Sequence, residues 1–253
     1  MDLGLNGRTV FVTGASGGIG RAIAHAFATE GANVVVGYHA GEDRAREAAA
    51  RAESLGVKAL PLRIDLGDPE SIDAAADRAL TAFGTVDVLV NNAVEWPSFP
   101  APGERFETAP PERMRRSLRA NLEGPYLLAR ALTGQMRAQG WGRIIHVSTG
   151  LAVDGFAGSA PYTTPKSGLH GLTRTMSREL ARAGVLTNVV MAGFVVGDRS
   201  LPEAMIDQAK AAAATGRLTE AEEVAALIVY LGSAANGHVT GELIRADGHF
   251  LVA

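Results

Sequence analysis

Short runs rich in Val, Ile and Leu recur at 9–13, 33–37, 58–64, 86–91, 143–148, 185–191 and 241–246, and six Ala-rich or amphipathic stretches lie between them. That alternation predicts repeated βα units. Runs such as VDVLVNN and RIIHVS are apolar at consecutive positions, as expected of strands covered on both faces, so a parallel sheet with helices on each side follows. Right-handed crossovers then give a doubly wound α/β fold of about seven strands. Helix punctuation agrees: Gly31 follows the first helix, Asp68-Pro69 opens another at DPESIDAAADRAL, and Gly184 follows the helix that carries Lys166. Nothing reads as a linker, and 253 residues suit one domain over the whole chain. The Pro-rich stretch 95–111 is the longest irregular piece. It follows the carboxyl end of a strand and so lies on the ligand side of the sheet. Two readings stand for it, a pocket wall and a surface loop on which Trp96 and Phe99 pack down.

Composition narrows the function classes. Apolar residues are 47% and charged residues 20%, the usage of an ordinary globular domain. A net charge of −3 supplies no basic field for a phosphate backbone, which argues against nucleic acid as a partner. The chain has no cysteine, so disulfides, thiol catalysis and cysteine-ligated zinc are excluded. The six histidines, at 25, 39, 146, 170, 238 and 249, show no metal-ligand spacing, and no metal is expected. His146, on a buried strand, reads as a hydrogen-bonded core residue. The amino terminus lacks a signal-peptide pattern and no run approaches eighteen apolar residues, which predicts a cytoplasmic protein with no membrane contact. Only 3 lysines accompany 21 arginines, which singles out Lys166.

The stretch VFVTGASGGIGRAIAHAFATEG sets Gly14, Gly18 and Gly20 between a buried strand and a helix of about a dozen residues. Glycines there let backbone N–H groups approach a pyrophosphate, which the positive end of the helix stabilises. The spacing is G-x-x-x-G-x-G with Thr13 in front. In this it resembles the short-chain dehydrogenase/reductase family, in its 3-oxoacyl-reductase-like branch, and the Rossmann-type fold of that family matches the pattern above. The resemblance runs from Gly7 to about Asp247. It extends to Asp65-Leu66 after the third strand, to Asn91-Asn92-Ala93 with Val94 where glycine is usual, to Asn121 in RANLEGPY and to Asn188 in TNVV. By resemblance the cofactor contacts are Gly14, Ser16, Gly18, Ile19, Gly20, His39, Asp65, Leu66, Asn91, Ala93, Tyr162, Lys166 and Gly193.

Tyr162 and Lys166 stand four apart on one predicted helix, so they project from the same face. A fixed ammonium favours the phenolate of a neighbouring tyrosine and makes acid–base work possible near neutral pH. The family places a polarising serine thirteen residues before the tyrosine. Here that position is Thr149, with Ser148 beside it. Neighbours along a strand face opposite ways, so one hydroxyl reaches the substrate: Thr149 by position, or Ser148 if a bulge releases it. The resemblance then implies that Tyr162 protonates the carbonyl oxygen, Thr149 hydrogen-bonds it, Lys166 tunes the tyrosine and holds the nicotinamide ribose, and Asn121 keeps a relay water in line.

No acidic residue ends the second strand, where Gly37, Tyr38 and His39 stand, and Glu42 and Asp43 come later. This favours NADP(H) over NAD(H), with Ser16, His39 and Arg44 as candidate phosphate contacts. Three departures touch the family's nicotinamide and terminal positions: Ala192-Gly193 in place of Pro-Gly, Gly197 in place of threonine, and Asp247-Gly248-His249 in place of Asp-Gly-Gly. Two hypotheses result. One is an oxidoreductase interconverting a ketone and a secondary alcohol, its small-molecule substrate held between Trp96, Phe99 and 194–210. The other is a protein of the same fold that binds the cofactor for a non-redox or regulatory role. ERMRRSLR aligns Arg113, Arg116 and Arg119 as a solvated or subunit-facing stripe, or as a dock for an acyl carrier protein. The resemblance also implies a homo-oligomer, typically a tetramer.

Overall fold

The computed structural model describes residues 2–96, 104–197 and 200–250. Seven parallel strands form one sheet: β1 Thr9–Val12, β2 Asn33–Tyr38, β3 Ala59–Arg63, β4 Val88–Asn91, β5 Gly142–Thr149, β6 Val185–Ala192 and β7 Leu243–Ala246. Their order is β3-β2-β1-β4-β5-β6-β7. All seven predicted runs are strands. The direction of winding reverses between β1 and β4, so a crevice opens at their carboxyl ends.

Both faces of each central strand are buried, which is why the strands read as continuous apolar runs. Val10, Val12, Val34, Val36, Val88 and Val90 enter one core, whereas Phe11, Val35 and Leu89 enter the other. The first core is closed by α1 Gly18–Thr29, α2 Glu42–Glu53 and α9 Ala221–Gly232 through Ile23, Phe27, Ala45, Ala49 and Ile228. The second is closed by α3 Pro69–Phe83, α5 Gly124–Ala138 and α7 Ala160–Leu180 through Ile72, Ala76, Leu128, Leu132 and Met176. Three shorter helices, α4 Pro111–Leu118, α6 Leu151–Asp154 and α8 Glu203–Ala212, follow the carboxyl ends of β4, β5 and β6. They surround the crevice.

Punctuation falls where the sequence placed it. The Asp68 side chain accepts from the backbone N–H of Glu70 and Pro69 occupies the first turn of α3. Gly31 lies just past α1, and Gly184 past the 3-10 turn that ends α7. The sequence did not separate α4 from α5. A π-helical turn, Arg119–Glu123, joins them.

Candidate active site

The glycine loop connects β1 to α1. Gly14 and Gly18 have φ of +67° and +51°, and a Cβ on Gly20 would stand 2.2 Å from the carbonyl oxygen of Gly14. The loop is braced from β4: Thr13 Oγ1 accepts from the N–H groups of Asn92 and Ala93, and Asn92 Nδ2 donates to Thr13 O. The amino end of α1 differs from that of α3. Gly17 at its cap offers no side chain, and its first turn holds no acid. Its N–H groups are thus left without a side-chain cap, as a phosphate-binding helix requires. The residues present fit a dinucleotide.

Further along the crevice, His39 Nε2 lies 3.4 Å from Asp65 Oδ2, and Asp65 Oδ1 accepts from the N–H of Gly67. Leu66 O is in close contact with the start of α5 at Gly124. Glu42 and Asp43 open α2, as expected, and do not end β2.

At the other end, the π turn carries Asn121 inward, where it is buried. Asn121 Oδ1 accepts from the N–H of Glu95, and its Nδ2 donates to Glu95 O and to Ser117 Oγ, each at 2.8 Å. The amide therefore fastens the chain leaving β4. One residue on, the Trp96 ring stacks on Tyr162 with centroids 4.9 Å apart and planes inclined by 21°. Phe99 lies outside the described residues.

Tyr162 and Lys166 occupy one face of α7, one turn apart. Lys166 turns inward: it is 3% exposed, and its Nζ donates to Val147 O at 2.7 Å. Burial lowers its pKa to about 8, so the ammonium persists at neutral pH and is lost in mild alkali. His146, two residues before Ser148, is fully buried. Burial, with the Lys166 charge second, lowers its pKa to about 3, so it is a neutral core residue. Asn91 Nδ2 faces His146 Nδ1 at 3.2 Å across the β4–β5 pair.

The two hydroxyls separate. Ser148 Oγ lies 2.8 Å from His170 Nε2 and donates to Lys166 O, which commits it to the interface between β5 and α7. Thr149 Oγ1, at the end of β5, accepts from the N–H of Leu151 at 3.3 Å and keeps its own proton for another acceptor. No bulge releases Ser148, which stays in register opposite Met191. From sequence His170 reads only as one of six histidines without metal-ligand spacing, with no role at the site. Its spacing of four from Lys166 was the available signal.

A family model described as Enoyl-(Acyl carrier protein) reductase matches residues 14–250. L-rhamnose 1-dehydrogenase (NAD(P)(+)) of Sphingomonas sp. (strain SKA58) is 34% identical over 98% of each chain. The 3-oxoacyl-(acyl-carrier-protein) reductase FabG of Aquifex aeolicus (strain VF5) is 33% identical over 98% of this chain and 99% of that one. A solved short-chain dehydrogenase/reductase from Serratia marcescens BCRC 10948 superposes with a TM-score of 0.89 at 33% identity, covering 98% of this chain and 99% of that chain.

The chain belongs to the short-chain dehydrogenase/reductase family. It is accordingly an oxidoreductase of the class that acts on CH–OH and C=O groups with a nicotinamide cofactor.

As a short-chain dehydrogenase/reductase it departs from its family after β6. Gly193 takes the place that follows the usual proline. A Cβ there would stand 2.1 Å from Thr219 Oγ1 and 2.7 Å from the Cα of Asp247, and the Gly193 N–H donates to Ala246 O. Packing against β7 and Thr219 thus fixes this segment without the proline ring. Residues 195–197 then pass beside Gly18, and with 218–222 they border a cavity of about 440 Å³ over the first turns of α1, at Gly18, Arg21, Ala22 and His25. The strand leading to the altered terminus is also held by side-chain pairing. Arg245 donates to both carboxylate oxygens of Asp154 on α6 and to Asp247 Oδ2, which ties the segment after Thr149 to β7. Sequence reasoning missed this cluster because its members lie 91 residues apart. Among the described residues no helix is long and apolar enough to cross a membrane.

Proposed function

We propose that the protein is a cytoplasmic, homo-oligomeric ketoreductase that interconverts a ketone and a secondary alcohol with NADP(H). The observation that carries this reading is Lys166: a cation buried beside β5, one helical turn from Tyr162, with a main-chain carbonyl as acceptor and, among the described residues, no carboxylate. A buried charge so poorly compensated lowers stability and is retained where its charge is used.

A bound nicotinamide would supply the hydride. As the carbonyl carbon receives it, the C=O π pair moves onto oxygen and takes the phenolic proton of Tyr162. The Lys166 ammonium stabilises the resulting phenolate, which regains its proton from solvent. Thr149 Oγ1 donates to the same carbonyl oxygen. The Asn121 side chain is committed to Glu95 and Ser117, so a relay water at this residue is held by its main chain.

NADP(H) is favoured because the end of β2 presents His39 and no carboxylate to the ribose, while Glu42 is engaged by Arg46 on α2. Ser16, His39 and Arg44 remain the contacts proposed for a 2′-phosphate. A small-molecule substrate is favoured over an acyl carrier protein, since Arg113 and Arg116 are paired with Glu104 and Glu95. The packing of Gly193 speaks against a decayed nicotinamide grip and so against the non-redox reading.

The test is the nicotinamide absorbance of purified protein mixed with NADPH or NADH and a panel of ketones. Wild type should oxidise NADPH at least about tenfold more efficiently than NADH, the effect of one well-placed charged contact. Thr149→Ala should lower kcat about 100-fold or more, as for loss of an oxyanion donor, and Ser148→Ala should stay within a few-fold. Loss of turnover in Ser148→Ala alone would reverse the assignment of the hydroxyl. Cofactor binding with no oxidation of NADPH across the panel would refute the reductase reading.

A further inference from the structure

We propose that Trp96 selects the substrate, and that the preferred class is ketones bearing an aromatic ring on the carbonyl carbon, with the matching aryl carbinols. This rests on the ketoreductase reading and narrows it.

Three observations support it. Trp96 lies against the face of Tyr162 yet remains 57% exposed. A large indole is thus held at the reacting phenol with much of its surface turned to solvent. Its position is set through the residue before it. Glu95 exchanges two backbone bonds with Asn121, and Arg116 Nε donates to Glu95 Oε1. The indole is therefore a fixed shelf, since the residue before it is pinned by the buried asparagine of the π turn. Finally, exposed apolar side chains gather on the segments that leave the sheet at the crevice. Of the eight exposed large hydrophobic side chains among the described residues, Trp96, Phe106, Val153, Phe156 and Met205 lie on segments that follow the carboxyl ends of β4, β5 and β6.

A carbonyl oxygen that reaches the Tyr162 hydroxyl places one carbonyl substituent beside the indole. A flat ring can continue the aromatic stack there, in the offset geometry that aromatic pairs prefer. A saturated chain of equal size gains contact area but no stacking. A polyhydroxylated or carrier-bound substrate would leave polar groups against the indole face without partners there.

The experiment compares acetophenone with 2-octanone, which have equal carbon number, in wild type, Trp96→Ala and Trp96→Phe. Wild type should favour acetophenone. Trp96→Ala should raise its KM about tenfold with kcat largely kept, and should change 2-octanone by less than about twofold. Trp96→Phe should restore most of the preference. Equal losses for both ketones would make Trp96 a mere support for Tyr162 and overturn the proposal, as would a wild-type preference for 2-octanone.

A binding readout separates this inference from the reading beneath it. Trp96 and Trp141 are the only tryptophans, so Trp141→Phe leaves Trp96 as sole reporter. 1-Phenylethanol should quench its emission and 2-octanol should not. If neither ketone is reduced, the reductase reading fails, and quenching alone then decides the aryl site.

Discussion

Lys166 is where stability and chemistry conflict most directly. Its pKa in the folded chain is about 8, lowered by burial, against about 10.4 for a free lysine. A cation with a depressed folded pKa destabilises the native state fully below that value. The cost fades as pH rises from 8 toward 10.4, because there the unfolded chain holds a proton that the folded chain has released. The shift corresponds to roughly 3 kcal/mol at neutral pH, partly offset by the bond to Val147 O. Lys166→Met should therefore abolish turnover while melting at or a few degrees above wild type at pH 7, by about 2–4 °C for each kcal/mol relieved in a chain of this size. Calorimetry from pH 7 to 10 is the check. The gap should narrow steadily above pH 8, and a variant that melts lower at every pH would show that the charge carries no such cost. The kcat/KM for ketone reduction in wild type should fall above about pH 8 for the same reason.

Among the helices, the ends distinguish structure from binding. Helices α3 and α9 are capped by their own side chains, Asp68 in one and the Glu220–Glu223 pair in the other, while α1 begins at bare glycine with no acid in its first turn. Gly20→Ala introduces a methyl 2.2 Å from the backbone oxygen of Gly14 and 2.6 Å from Asn92 Nδ2, which is itself held by Thr13 O. The loop must open, so dinucleotide affinity should fall about 100-fold or more by calorimetric titration, given that misplacement of about 1 Å costs that much at an ordered site. Far-ultraviolet circular dichroism should be unchanged. Unaltered affinity would mean that the phosphates bind elsewhere. This element was legible because its signal is local, a strand, a turn and a helix in uninterrupted order. Strands and helix ends were legible for the same reason. The π turn was not: nothing in RANLEGPY marks an extra residue per turn, since Asn121 is drawn inward by Glu95 on the segment leaving β4. Thr149 was chosen over Ser148 by counting back from Tyr162, whereas the partner that occupies Ser148, His170, became visible only once β5 and α7 were packed together.

Across the whole molecule, the carboxyl ends of the strands hold the reacting groups and the amino ends hold a separate cationic cluster that no motif announced. There two guanidinium groups lie over the Trp141 ring, Arg8 at 3.7 Å and Arg143 at 4.4 Å from its centroid. Arg8 is paired with Asp87. Arg143 is buried and donates to four main-chain oxygens, those of Gly142, Gly184, Ser233 and Asn236. Burial, and secondarily the charge of Arg8, lowers its pKa to about 10, so it remains charged wherever the enzyme works. The four oxygens come from β5, the end of α7 and the segment after α9, so a single side chain joins the two helical layers around the edge of the sheet. Arg143→Leu removes the cost of the charge but strands several buried carbonyls, at about 1–3 kcal/mol each. A net destabilisation of about 3 kcal/mol or more is expected, lowering Tm by roughly 6–12 °C. Arg143→Lys should recover only part of it, having a compact ammonium in place of a planar fork. Because the cluster stands at the amino ends of the strands, opposite the crevice, kcat and KM of either variant at 25 °C should match wild type while the fold persists. Thermal melts run beside steady-state kinetics would show this, and a fall in kcat without loss of Tm would mean that the two ends of the sheet are coupled.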